Sequence, residues 1–170
     1  IHRISHSFPT GMTDAYGVAF FSATDLRGAE LWKSDGTTAG TVFVKDIHPG
    51  RGSSAPRDFL VVDGNCFFVA DDGVHGAELW RTDGTDAGTV LVKDIHPGLE
   101  SSTPAQFCEV RGTLFFAATD PVHSCELWKS DGTESGTVLV KDLATGFFPW
   151  SNPAGLTCVG DALYFFANDG

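Results

Sequence analysis

The chain has 170 residues, 42% of them apolar and 19% charged, which suits one domain with a substantial core and excludes a disordered polymer. Its 22 acidic against 11 basic residues give a formal charge of −11, which repels phosphate backbones and anionic lipid, so no nucleic-acid partner is expected. No stretch approaches the roughly 20 apolar residues of a membrane helix, so no membrane span is expected either.

The first segment, IHRISHSFP, has no apolar h-region, and the numbering is expected to begin after a cleavage site or inside a longer chain. From Pro9 onward one pattern recurs. Trp32, Trp80 and Trp128 stand 48 residues apart, as do Asp35, Asp83 and Asp131, and Lys45, Lys93 and Lys141. Pro9, Pro56, Pro104 and Pro153 step by 47, 48 and 49, so small loop insertions are tolerated. Aromatic pairs follow the series at Phe20-Phe21, Phe67-Phe68, Phe115-Phe116 and Tyr164-Phe165. The chain is expected to be a single domain over 1–170, or a piece of one, with units near 1–50, 51–98, 99–146 and a partial 147–170.

Each unit reads as four strands. In the second they are A (Arg57–Val62), B (Cys66–Asp71), C (Ala77–Thr82) and D (Thr89–Ile95). The connections DGN, DGVHG and DGTDAG are short and glycine-bearing, the signal of successive hairpins and hence of an antiparallel meander. The longer HPGLESSTP carries the chain to a new sheet. A four-stranded repeat of about 48 residues predicts an all-β chain, a β-propeller of four-stranded antiparallel blades with about 3.5 blades present. A β-sandwich is the alternative, and the fixed period argues for blades.

These units resemble the ELWxxDGT repeat of secreted and cell-surface bacterial proteins. GAELWKSDGTTAGTVFVKDIHPG at Gly28–Gly50 follows that repeat almost letter for letter, and the likeness spans nearly the whole chain. The resemblance implies a propeller in a secreted or cell-surface setting and supplies no catalytic residue. The partial fourth unit implies a longer parent chain, an oligomer, or an atypical closed sheet.

Several residues are candidates for chemistry. Trp32, Trp80 and Trp128 either fill the wedge between sheets or form sugar platforms. Asp35, Asp83 and Asp131 open DGT turns, where aspartate bonds nearby N–H groups. Calcium is the candidate ion for the acidic loops, although the dense D-x-D-x-D-G pattern is missing. Asp72, His75 and Glu78 recur as Asp120, His123 and Glu126, an Asp-x-x-His-x-x-Glu set that can hold a cation or simply close a loop; the first unit has Arg27 instead of the histidine. Lys45, Lys93 and Lys141 can pair with Glu30, Glu78 and Glu126 across the C–D hairpin. Phe147, Phe148 and Trp150, in the non-repeating TGFFPWSNP, form an apolar patch for a partner or ligand, or a cover for the neighbouring blade. The four cysteines, Cys66, Cys108, Cys125 and Cys158, lack zinc spacing, and their pairing stays open among three choices.

No catalytic motif is present, and every prominent acid recurs in each unit, whereas a catalytic site needs different residues in different roles. The expected function is therefore non-catalytic: an extracellular module binding a protein or carbohydrate. The alternatives are an assembly module joining copies through blade edges, and a hydrolase with a central-channel site.

Overall fold

The structure, a computed structural model, describes residues 9–144 and 150–169. They form fourteen strands and no helix. The first sheet holds β1 (Thr10–Ala15), β2 (Val18–Asp25), β3 (Gly28–Ser34) and β4 (Val42–Lys45) in that order. The second holds β5 (Arg57–Val62), β6 (Asn65–Asp71), β7 (Ala77–Thr82) and β8 (Val90–Lys93), and the third holds β9 (Ala105–Val110), β10 (Thr113–Asp120), β11 (Ser124–Ser130) and β12 (Val138–Lys141). A last pair, β13 (Ala154–Val159) and β14 (Ala162–Phe166), completes the set. Every pairing is antiparallel between chain neighbours. The expected all-β meander of four-stranded sheets is thus present.

Local chemistry sets these boundaries. The β1–β2, β5–β6 and β9–β10 turns place Tyr16-Gly17, Asp63-Gly64 and Arg111-Gly112 at positive φ, the signature of two-residue type I′ hairpins. Strand D begins at Val90, not Thr89, because the Thr89 hydroxyl is held in the turn by Thr82 and by the Thr85 carbonyl, both at 2.7 Å. It ends at Lys93, two residues before Ile95, whose N–H is drawn to the Glu78 carboxylate instead.

Strand alternation then divides each sheet into two faces. Phe20, Leu31, Val44 and Ile47 of the first unit meet Phe68, Ala70 and Trp80 of the second in one core cluster. Phe67, Leu79, Val92 and Ile95 of the second meet Phe116, Ala118 and Trp128 of the third in another. The sheets therefore stack face to face, with a leucine face on one and a tryptophan face on the next. The first strands of successive sheets are also neighbours: β1 lies against β5, β5 against β9, and β9 against β13. A disulfide joins Cys108 on β9 to Cys158 on β13, while Cys66 and Cys125 are free thiols. Burial pushes the Cys66 thiol up to about 12, which leaves it protonated and unreactive at neutral pH.

The residue before each crossover proline is left-handed: Ala55 at φ 46°, Thr103 at 46° and Asn152 at 44°. Each N–H there donates to a carbonyl at the start of the third strand of the preceding sheet, Ala29, Ala77 or Cys125. Asparagine tolerates this conformation and threonine resists it. Thr103→Asn at this exposed position should raise stability by up to about 1 kcal/mol, read as a higher denaturation midpoint. A lower midpoint would show that the threonine side chain makes a compensating contact.

Candidate functional site

The recurring polar residues converge at the two ends of the sheets. At one end lie the DGT turns. Asp83 Oδ1 accepts the Thr85 N–H at 2.8 Å and the Thr85 hydroxyl at 2.7 Å, and that hydroxyl accepts the Gly88 N–H at 2.9 Å. Asp35 and Asp131 are bonded in the same way, to Thr37 and Thr133. A Cβ on Gly88 would stand 2.1 Å from the Asp83 carboxylate, so only glycine fits. The hydroxyl bond, then the backbone bond, holds each of these three carboxyls below the usual range.

At the other end, the B–C loops pack against the D–A crossovers. The Ala29 and Ala77 N–H groups donate to the Ser53 and Ser101 hydroxyls, and a Cβ on Gly76 would strike the Glu100 carbonyl at 2.3 Å. Beneath this contact lie Glu30, Glu78 and Glu126, each fully buried. Glu78 accepts four bonds: from the N–H groups of Ile95 (3.1 Å), His96 (3.3 Å) and Ser102 (2.9 Å), and from the Ser102 hydroxyl (2.5 Å). Glu30 takes Ile47, Ser54 and the Ser54 hydroxyl, and Glu126 takes Leu143, Ser151 and the Ser151 hydroxyl. Burial pushes the Glu30 and Glu78 carboxyls above their usual range, against the pull of these bonds.

This corrects two expectations. The lysines do not pair with these glutamates. Lys45 Nζ instead donates to the Asp86 carbonyl at 3.0 Å, with the Asp86 carboxylate 3.2 Å away, and Lys93 Nζ donates to the Thr137 carbonyl at 3.0 Å. Each reaches the turn of the next unit. Nor do Asp72, His75 and Glu78, or Asp120, His123 and Glu126, assemble as a three-ligand set. The glutamates face inward onto the crossovers, and no group of three or more metal-ligating side chains occurs among the described residues.

What the structure does assemble is an aspartate–imidazole pair on each loop. His75 Nδ1 lies 2.8 Å from Asp72 Oδ2, and His123 Nδ1 lies 2.8 Å from Asp120 Oδ2. Asp72 and Asp120 also accept the N–H groups of Val74 and His75, and of Val122 and His123. In the first unit Arg27 pairs with Asp25 in the corresponding loop and lies 3.6 Å over the Phe43 ring. A permanent cation thus stands where the later units place a histidine, which points to an ion-pairing role for that position.

The aspartate bond, then the surrounding acids, raises both imidazoles above their ordinary value. Burial pushes Asp72 and Asp120 up, but the bonds from the loop outweigh it and leave both carboxyls lowered. Each imidazole therefore adds stability that is full below its unfolded pKa and lost as pH rises through its folded one; each aspartate adds stability lost as pH falls through its own. Titration by NMR should find His75 and His123 both above the ordinary imidazole value. Asp72→Asn should lower His75 toward that value and leave His123 unmoved; two ordinary imidazoles in the unaltered chain would refute the pairing.

The tryptophans are also accounted for. Trp80 and Trp128 lie buried in the cores between sheets, and Trp32 is buried with Phe21, Ala23 and Phe43. Packed in this way, none offers a ring face to a sugar, which corrects the platform expectation. Of the aromatic crossover, Phe147 and Phe148 lie outside the described residues, and Trp150 is partly exposed.

Four aliphatic side chains belong to no motif of the sequence and yet stand at the surface. Leu26, Val74 and Val122 on the B–C loops and Leu99 on a crossover are between 60% and 94% exposed. Their equivalent placement in successive loops was the available signal. No helix among the described residues is long and apolar enough to cross a membrane. Comparison with protein-family models, with curated proteins and with solved structures found no match for this chain.

Proposed function

We propose that the chain is a run of β-propeller blades of the ELWxxDGT-repeat kind. It acts as a non-catalytic extracellular module that binds a protein partner with the loop end of its sheets. The propeller reading is supported by the stacked sheets and the adjacency of their first strands. The binding reading rests on one observation. The recurring aspartates and glutamates are engaged by the chain's own donors, while the aliphatic tips at the loop end project into solvent, where they add nothing to the core. Aliphatic tips suit a protein surface better than a glycan, which favours stacking aromatics. The Cys108–Cys158 bond fits an oxidising compartment.

The labelled chain should be retained on immobilised extracellular proteins of its own organism. Replacing Leu26, Val74 and Val122 together by serine should lower retention at least tenfold with an unchanged circular-dichroism spectrum. Retention indifferent to these tips, or binding that moves to sugars on a glycan array, would overturn the reading. The exposed Tyr164 and Phe166 on β14 favour a second reading, an assembly module joined through sheet edges. Light scattering that gives a single-chain mass at every concentration would sink that version.

A further inference from the structure

Each sheet carries a seat for the tryptophan of the next. Trp80 shares its core with Phe20, Leu31, Val44 and Ile47, and Trp128 with Phe67, Leu79, Val92 and Ile95. The third unit repeats this seat as Phe115, Leu127, Val140 and Leu143. There its outer part lies open: Val140 is 43% exposed, whereas Val44 and Val92 are 7% and 5% exposed, while Leu127 at its floor stays buried as Leu31 and Leu79 are. Ile47 and Ile95 are buried, and Leu143 is only half-buried.

The neighbouring edge is open too. Among the described residues β14 pairs only with β13, and an apolar groove of about 480 Å³ lies over the β13–β14 hairpin, lined by Gly155, Thr157 and Leu163–Phe166. A second groove of about 350 Å³ involves Thr113, Lys129, Asp131, Gly136 and Val138 of the third sheet. In the earlier sheets the place beside the corresponding cation receives the next unit's turn. A Cβ on Gly84 would touch Phe20 and Lys33, and one on Gly132 would touch Phe67 and Arg81. Lys33, Lys45 and Lys93 each donate to a carbonyl of the following turn. Lys129 and Lys141 occupy the equivalent positions in the third unit.

We infer that β14 and this seat together form the acceptor for one further hairpin of Glu-Leu-Trp-Lys chemistry. Its first strand pairs antiparallel with β14, and its tryptophan settles on Phe115, Leu127, Val140 and Leu143. The register is set by the complete sheets, where Phe67 faces Arg81 and Phe68 faces Trp80. Tyr164 therefore faces the incoming lysine and Phe165 the incoming tryptophan. Its lysine and turn lie over Tyr164 and the second groove, within reach of Lys129 and Lys141. A folded second copy does not supply this strand, because β3, β7 and β11 are each already paired on both sides. This acceptor depends only on the packing of neighbouring sheets, whether or not they close into a ring.

The test uses a synthetic peptide with this chain's own residues 28–47, GAELWKSDGTTAGTVFVKDI, titrated into the full chain by calorimetry with hydrogen exchange read in parallel. One peptide should bind per chain and protect the β14 amides. Binding should weaken at least tenfold when the peptide carries Trp32→Ser, and likewise when the protein carries Val140→Asp. Phe166→Ser, at an exposed position on β14, is the second protein variant and should weaken binding in the same way. Val74→Asp, at the loop end, should bind the peptide as the unaltered chain does, because the β14 acceptor and the loop end are separate surfaces. No binding, equal binding of a scrambled peptide, or a dimer that protects β14 without peptide would each overturn it.

Discussion

Replacing Glu78 by alanine should destabilise the chain by roughly 3–5 kcal/mol, because it strands four donors at about 1–3 kcal/mol each, less what entering water restores. The donors are the N–H groups of Ile95, His96 and Ser102 and the Ser102 hydroxyl. They lie on the crossover, so its path is lost along with the bonds. Glu78→Gln keeps one acceptor oxygen and should lose about half as much. Urea denaturation with matched slopes would measure both, and a loss below about 1 kcal/mol for the alanine variant would show that the carboxylate is dispensable.

The same group leaves a signature in pH. Its folded pKa is raised, so the folded state holds the proton more tightly than the unfolded state does. This contribution favours the fold at acid pH and weakens as pH rises from the unfolded value through the folded one. The opposite trend from the lowered aspartates is superimposed on it. Subtracting the Glu78→Gln curve from that of the unaltered chain isolates the glutamate.

Trp80→Ala should cost roughly 3–5 kcal/mol, the usual range for emptying a large aromatic site in a core. Trp128→Ala should match it, since both indoles bridge two sheets. Trp32→Ala should cost less, because its cluster holds only residues of its own sheet: Phe21, Ala23 and Phe43. Equal losses at all three positions would mean that the indole serves its own sheet and not the seam between sheets.

Periodicity made the strands legible. The sequence pattern predicts strand C at Ala77–Thr82, the bounds of β7, since a period of two and glycine-bearing turns leave little freedom. The two faces were legible as well, because Leu79 and Trp80 alternate. The role of the glutamates is not legible in the sequence. A charged residue beside Leu and Trp looks like a surface or ligand residue, and what neutralises its burial lies 24 residues downstream at Ser54 and Ser102. The recurring serine was visible, but pairing it with the glutamate requires the path of the crossover. The loop histidines failed as ligands for a related reason: spacing in sequence did not reveal that Glu78 turns inward while His75 stays at the surface.

The glutamate–crossover bond also bears on how such a chain comes apart. Each buried carboxylate sits in one unit, and the segment that satisfies it leads into the next. Unravelling a single unit from an end would expose the seam of its neighbour and break the crossover bonds together. Repeat arrays behave as linear chains of coupled elements, and strong coupling suppresses partly melted species. One sharp transition, with all three complete sheets losing structure together, is the behaviour this architecture imposes.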